Sequence, residues 1–268
     1  MQEDIIKPYY GYKGVLYISI VLIGLGITGI ALGITFTLMA YSTWILVLCW
    51  ILGIILLAAG IFWHVTMGFV NDKKKMESIK DSFLNELSNV WDGKGKVLDI
   101  GTGRGWVAIE TARRFPESQV VGIDIWTKFF SVLGQTKEGA EKNAATANVS
   151  DRCSFQYCSA LNLPFKDGEF QLVVSSFTFH EISTPDKTVL FKEIARVLAP
   201  GGTFLILDFF AGSFLKAYKV TSVEELLKKV QQLGIEDAKI KPLKETGVEL
   251  GKFYRYFWEV DFFSAKKV

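Results

Sequence analysis

From Val15 to Val70 the chain carries no Asp, Glu, Lys or Arg. No other feature narrows the possible folds as far. A helix that crosses a bilayer needs about 20 apolar residues, so a charge-free run of this length is expected to hold two of them. They fall at roughly Val15–Ala40 and Trp44–Val70, joined by the short polar connection Tyr41-Ser42-Thr43. Two buried helices of a soluble core would not require stretches this long. The first span does not read as a cleaved signal peptide: its apolar part is too long, and Glu3 and Asp4 interrupt the basic start such a peptide has.

The flanking lysines set an expected orientation. Lys7 and Lys13 precede the first span, Lys73-Lys74-Lys75 and Lys80 follow the second, and the connection is uncharged. Positive charge stays on the cytoplasmic side, so both termini are expected there, in a multi-pass protein of the cell membrane. Tyr9, Tyr10, Tyr12 and Tyr17, then Tyr41 and Trp44, then Phe62, Trp63 and Phe69 fall at depths where aromatic belts form. Gly29 and Gly33 make a G-x-x-x-G pair, which lets helices approach closely. That face can serve packing within the hairpin or a homodimer. His64 is an ionisable group inside the second span, either functional or engaged in packing and hydrogen bonding near its cytoplasmic end.

Residues 71–93 read differently. Charged positions alternate with Met76, Ile79, Phe83, Leu84 and Leu87 at helical spacing, the pattern of an amphipathic linker helix over Asn71–Trp91. The division expected is therefore a hairpin over 1–70, a linker helix over 71–93 and a soluble domain over 94–268.

In that domain strand-like and helix-like segments alternate, as in a doubly wound α/β sheet. Its pivot is Val97–Trp106, VLDIGTGRGW. An apolar strand carrying Asp99 runs into the turn Gly101-Thr102-Gly103-Arg104-Gly105, and a helical pattern begins at Trp106. Glycines allow positive φ and close backbone approach, and a helix N-terminus leaves free N–H groups beside a ligand. The dinucleotide fingerprint is G-x-G-x-x-G; here the spacing is G-x-G-x-G with an acid two residues ahead. A carboxylate there suits a cationic amine better than a pyrophosphate. A second strand, Gln119–Asp124, ends in an acid about 20 residues past the turn, the place of a ribose partner in nucleotide-binding crossovers. Ile125 or Trp126 would then pack on a base.

The glycine turn resembles motif I of the class I S-adenosylmethionine-dependent methyltransferases, [DE]-x-G-x-G-x-G. Two further segments resemble that family. Cys158-Ser159-Ala160-Leu161-Asn162-Leu163-Pro164-Phe165 is similar to its G-D-A-x-x-L-P-F segment, with Ser159 where Asp is usual, and Arg196-Val197-Leu198 with Pro200-Gly201-Gly202 matches R-V-L-x-P-G-G. The resemblance covers about Lys94 to the C-terminus and does not reach the hairpin. It implies a Rossmann-like, seven-stranded doubly wound sheet with S-adenosyl-L-methionine as cofactor. Asp99, Gly101, Thr102, Gly103 and Gly105 would hold the methionine part and Asp124 the ribose. Ile125, Ser159 and Ala160 would meet the adenine, and Ser175, near the end of the fourth strand, is placed with the same site.

Such a cofactor brings an activated methyl group, so the protein has to hold a nucleophile in line and exclude water. At the expected ends of strands four and five stand His180, Glu181 and Asp208. His180 has an intrinsic pKa suited to a general base or an acceptor-orienting group, with Glu181 as its orienting partner; a structural, helix-capping histidine is the alternative. No D/N-P-P-Y/F segment follows strand four, unlike the family's amide and nucleic-acid amino methyltransferases. The net charge of +2 gives no general affinity for nucleic acid. Phe177, Phe179, Phe209, Phe210, Phe214 and Tyr218 point to an apolar acceptor. Cys49, Cys153 and Cys158 have no ligand-set spacing, so no metal is expected. The reading is a membrane-anchored methyltransferase of a small or lipid-like acceptor. A noncatalytic S-adenosylmethionine-sensing membrane scaffold and a membrane-bound NAD(P) oxidoreductase are the alternatives.

Overall fold

A computed structural model of the chain describes residues 13–39, 42–67, 72–132, 134–250 and 259–268. Lys7, Tyr9, Tyr10, Tyr12, Tyr41 and Phe69 lie outside them. The described chain forms two compact units, one containing the first two helices, the other Glu77–Ser131 and Gln135–Val268.

The first unit is α1 (Lys13–Leu38) and α2 (Thr43–Met67). Within them Tyr17–Leu38 and Thr43–Val65, with mean hydropathies of 2.3 and 2.9, are long and apolar enough to cross a membrane. Their glycines explain how the two backbones meet. A Cβ on Gly26 would lie 2.5 Å from Leu57 N, one on Gly29 2.9 Å from Gly53 Cα, and one on Gly33 3.1 Å from the Trp50 indole nitrogen. The G-x-x-x-G face therefore serves packing within the hairpin. Inside that contact Ser19, fully buried, places its hydroxyl 3.1 Å from His64 Nδ1, so His64 takes part in interhelical hydrogen bonding.

The second unit begins in α3 (Lys73–Val90). Its stripe of Ile79, Phe83 and Leu87 is fully buried, and Phe83 meets Trp106 edge-on at 5.4 Å. The helix expected as a linker thus packs into the domain. The sheet consists of β1 (Gly95–Ile100), β2 (Ser118–Asp124), β3 (Cys153–Tyr157), β4 (Phe170–Ser176), β5 (Leu198–Asp208), β6 (Ile235–Pro242) and β7 (Asp261–Lys267), in the order β3-β2-β1-β4-β5-β7-β6. β1 to β5 are parallel, and β7 lies antiparallel between β5 and β6. The helices α4 (Trp106–Arg114), α5 (Lys128–Val132), α6 (Lys137–Thr146), α7 (Thr188–Val197) and α8 (Val223–Gln231) complete it. The Rossmann-like seven-stranded sheet expected from the sequence is the one observed.

Local chemistry accounts for the boundaries. Val97, Leu98, Leu172, Val173 and Val174 are fully buried, as continuous apolar strands covered on both faces must be. Ser222 Oγ accepts from Glu225 N at 3.2 Å, while Glu225 reaches back to Thr221 N at 2.8 Å, a capping box shifted by one residue from its usual partner. In β5 Leu198 pairs with Phe170, and the register slips before Thr203 pairs with Leu172, so Ala199–Gly202 bulges within the strand.

Candidate functional site

The sheet order reverses between β1 and β4, so the carboxyl ends of those two strands flank the crevice where open α/β sheets take ligands. Thr178, just past β4, stitches them: its hydroxyl donates to Gly101 O at 3.2 Å.

The three glycines of the turn all have positive φ, at 72°, 53° and 82°, but for different reasons. A Cβ on Gly101 would come within 2.1 Å of the Thr178 side chain, so Thr178 demands the glycine there. Gly105 begins α4 in left-handed conformation and is crowded by Ile109 and Phe155 at 3.0 Å. At Gly103 a Cβ would meet only the end of the Gln135 side chain, at 3.0 Å. Its backbone is the part of the turn with a yielding neighbour.

The two strand-end acids differ as well. Half-buried Asp124 spans the turn, Oδ2 accepting from Gly103 N at 2.9 Å and Oδ1 from Trp126 N at 2.8 Å. Burial raises its pKa, against the pull of those amides. A carboxylate has about four lone-pair sites, so Asp124 keeps acceptor capacity for hydroxyls. Asp99, 1 % exposed, lies beneath the turn and accepts from Ala108 N at 3.2 Å. Burial pushes its carboxyl up to about 7, opposed by the Thr102 hydroxyl and the Ala108 N–H. Asp99 therefore meets the first turn of α4 and not the open crevice. Thr102, 3 % exposed, is buried with it.

On the β3 side Trp126 and Ile125 separate. Trp126 is buried, adopts φ 34°, and its indole N–H donates to Gly103 O at 2.8 Å, bracing the turn. Ile125 is 58 % exposed, an apolar side chain open to solvent. Cys158 N donates to Asp124 O at 3.0 Å, which brings exposed Ser159 and half-buried Ala160 beside Asp124. Ser159 Oγ is already engaged by Leu161 N at 3.2 Å. Ser175 corrects the sequence expectation: fully buried, it donates to Ile100 O at 2.7 Å, a tie between strands rather than a ligand contact.

On the β5 side His180 stands in the 3-10 turn Phe179–Glu181. Its Nδ1 is 2.8 Å from Asp208 Oδ1. Asp208, fully buried, also accepts from Phe209 N at 2.8 Å, Thr178 N at 2.8 Å and Phe179 N at 2.7 Å. An ionised carboxylate only accepts, so the tautomer that pairs with Asp208 is the one that donates from Nδ1–H and has Nε2 unprotonated. Glu181, expected as the orienting partner, sits 3.7 Å from Nε2, too far for a hydrogen bond and on the other nitrogen. Partial burial, with Asp208 and Asp124 nearby, holds its carboxyl above the usual range, against His180 and Lys187. The His180 ring meets Phe209 edge-on at 4.8 Å, and Phe209 stacks on Phe214 at 4.8 Å. Phe179 and Phe210, fully buried, and Tyr218, 2 % exposed, belong to the core instead. Among the described residues no group of three or more His, Cys, Asp and Glu is placed to hold a metal ion.

Comparison with known proteins points to a class. Residues 97–202 match the family described as "Methyltransferase domain". Over this stretch the chain is similar to that family. The chain is 34 % identical over 122 residues to a ubiquinone/menaquinone biosynthesis C-methyltransferase of Geotalea daltonii, covering 45 % of this chain and 48 % of that protein. It is 31 % identical over 139 residues to 27-O-demethylrifamycin SV methyltransferase of Amycolatopsis mediterranei, covering 52 % and 46 %. The match spans about half the length of these relatives. The solved geranyl diphosphate C-methyltransferase of Streptomyces coelicolor superposes with a TM-score of 0.53 at 16 % identity, over 77 % of this chain and 83 % of that one, a likeness of fold. These likenesses agree with the methyltransferase class expected from the three motifs.

Asp124 and Glu181 bring two carboxyl groups to this end of the sheet, Asp124 with lone pairs beyond its two amide donors, and Ile125 adds an exposed apolar side chain. Asp208 and Thr178 were not assigned roles from sequence. Asp208 repeats the pattern of Asp99 and Asp124, an acid closing an apolar strand, and was legible on that ground; nothing local marked Thr178.

Proposed function

We propose that the chain is a membrane-anchored methyltransferase that moves the methyl of S-adenosylmethionine to a small, lipophilic acceptor. The observation that carries this reading is Asp124, whose carboxylate braces Gly103 and Trp126 at the switch point of the sheet and still has acceptor capacity facing the crevice. The cofactor supplies a methyl group already activated for displacement. Gly101, Gly103 and Asp124 hold it, Ile125, Ser159 and Ala160 bound its base, and buried Asp99, Thr102 and Gly105 fix the turn from beneath. His180 faces the acceptor with bare Nε2, positioned to orient it or to take its proton. Phe177, Phe209 and Phe214 form the apolar side, and aromatic faces favour a planar or hydrocarbon acceptor. The relatives named for quinone biosynthesis and for a geranyl substrate fit an acceptor of that kind.

α1 and α2 span the membrane in this reading, with both termini in the cytoplasm and residue 42 outside. Membrane lipid surrounds the hairpin, and a tether of this kind raises the concentration of a partitioned acceptor near the enzyme. An impermeant thiol reagent that labelled a cysteine placed at Lys74 from outside intact cells would refute the orientation.

The cofactor reading is tested by calorimetry on the full chain in detergent. Asp124→Ala removes charge-assisted hydrogen bonds of about 1.5–3 kcal/mol, so affinity for S-adenosylhomocysteine should fall about ten- to hundredfold. Unchanged affinity takes Asp124 out of the site. For the acceptor, full-length protein in liposomes with methyl-labelled cofactor and a total cell extract should place label in the organic phase; label only in water-soluble products would refute a lipophilic acceptor.

A further inference from the structure

Lys187 is 7 % exposed, a rare place for an ammonium group. Its Nζ donates to Phe179 O and, at 2.7 Å, to His180 O. Its backbone N–H donates to Ala217 O at 2.8 Å, in the 3-10 segment Gly212–Tyr218 that carries Phe214. One residue therefore fastens both the His180 turn and the segment behind the aromatic side. The charges around it are few. Asp208 approaches from β5 and Glu181 from the turn itself, and Glu181 in turn feels Asp124 from β2. Burial alone would favour a neutral amine; the two carboxylates oppose it.

We propose that Lys187 is a positioning residue for His180: its buried ammonium locks the turn through the Phe179 and His180 carbonyls, so that the imidazole keeps its Nδ1–H on Asp208. Without that clamp the turn loosens and the ring loses the Asp208 hydrogen bond that fixes its tautomer. The inference rests on the reading of His180 as the acceptor-facing group. Its physical content, the tautomer and hydrogen bond of one ring, is measurable without cofactor or acceptor.

The chain has two histidines, so His64→Asn leaves a single imidazole for nitrogen and proton NMR on the full chain in detergent. In that background the neutral His180 ring should show the Nδ1–H tautomer; an Nε2–H tautomer overturns the proposal. Lys187→Met should lose that signature and show the mixed tautomers of an untethered imidazole, whereas Lys187→Arg, which keeps a cationic donor, should stay close to the parent. If Lys187→Met folds and keeps the parent tautomer, the proposal fails. Lys187→Gln, too short to reach both carbonyls, reads the same tautomer if Lys187→Met does not fold, with the same refuting outcome. A tautomer change as expected in a protein that transfers no methyl group supports Lys187's role and refutes the proposed function, so the two fail separately.

Discussion

Gly101→Ala separates what the glycine turn does for the fold from what it does for a ligand. At φ 72° an alanine sits in the left-handed region, which disfavours a Cβ by about 1–2 kcal/mol. The new Cβ would also lie 2.1 Å from Thr178 Oγ1 and Cγ2 and 2.6 Å from Thr178 Cβ. Rotating the Thr178 side chain moves the first two atoms but not the third. Nor can the backbone retreat freely, because Thr178 N is held by Asp208 Oδ2 at 2.8 Å. Overpacking of this kind costs about 1–3 kcal/mol, so the total is about 2–5 kcal/mol, on the order of 10 °C in melting temperature for a domain of this size. The clash has a named partner, which makes it separable. In a Thr178→Gly background, Gly101→Ala should cost only the conformational part, leaving a coupling of about 1–3 kcal/mol in the double-mutant cycle. Tryptophan fluorescence of the full chain in detergent, followed through thermal unfolding, reads all four proteins. Equal destabilisation by Gly101→Ala in both backgrounds would show that Thr178 is not what requires the glycine, and would return that requirement to ligand approach.

Two other outcomes follow from buried groups. Asp99 and Asp261 are both pushed up to about 7, chiefly by burial, so the folded chain keeps protons that the unfolded chain releases near pH 4, and stability falls as pH rises from about 4 to 7 and then levels. Asp99→Asn and Asp261→Asn should each flatten that fall in denaturant midpoints; an unaltered slope in both variants would sink the assignment. In the hairpin, Gly29→Leu should splay α1 from α2, because a Cβ there is already 2.9 Å from Gly53 Cα, whereas Gly24→Leu, with nothing within 4 Å, should not. Gel mobility of the two variants distinguishes them, and identical behaviour would refute the close-packed glycine face.

The fold was legible because its signals are of long range or strictly ordered. A charge-free run through Val70 admits few structures, and apolar strands alternating with helical patterns from Lys94 onward leave little besides a doubly wound sheet. The site was legible in part. Asp124, Gly103, Ile125 and Ser159 come together, as a strand-turn-helix motif implies from local chain direction alone. What stayed hidden depends on contacts remote in sequence. Thr178 meets Gly101 across 77 residues and His180 meets Asp208 across 28, so neighbouring Glu181 looked like the natural partner. Lys187, in Pro185-Asp186-Lys187, reads as a solvated helix start, and only the packing of the Phe179–Glu181 turn over it makes it a buried cation.

Three parallel strands of this sheet end in or carry an acid near the crevice, and all three carboxylates do the same local work. Asp99 receives an amide of α4, Asp124 receives two amides around the glycine turn, and Asp208 receives three amides of the turns after β4 and β5. Strands closing on a crevice leave the N–H groups of the next loop unpaired by the sheet, and an acid at the strand end is the nearest acceptor. Sequence alone assigns such acids to a ligand, because ligand and loop amides ask for the same residue at the same place. Lone-pair supply tells them apart. Asp208 has four donors, one of them His180 Nδ1, and nothing left for a ligand, so it can act only through the imidazole. Asp99 is sealed from the crevice. Asp124, half-buried with two amide donors, is the one acid of the three that can brace its loop and still accept from a bound hydroxyl, which is why the cofactor reading of this site stands or falls with Asp124 and not with the acid of the glycine motif.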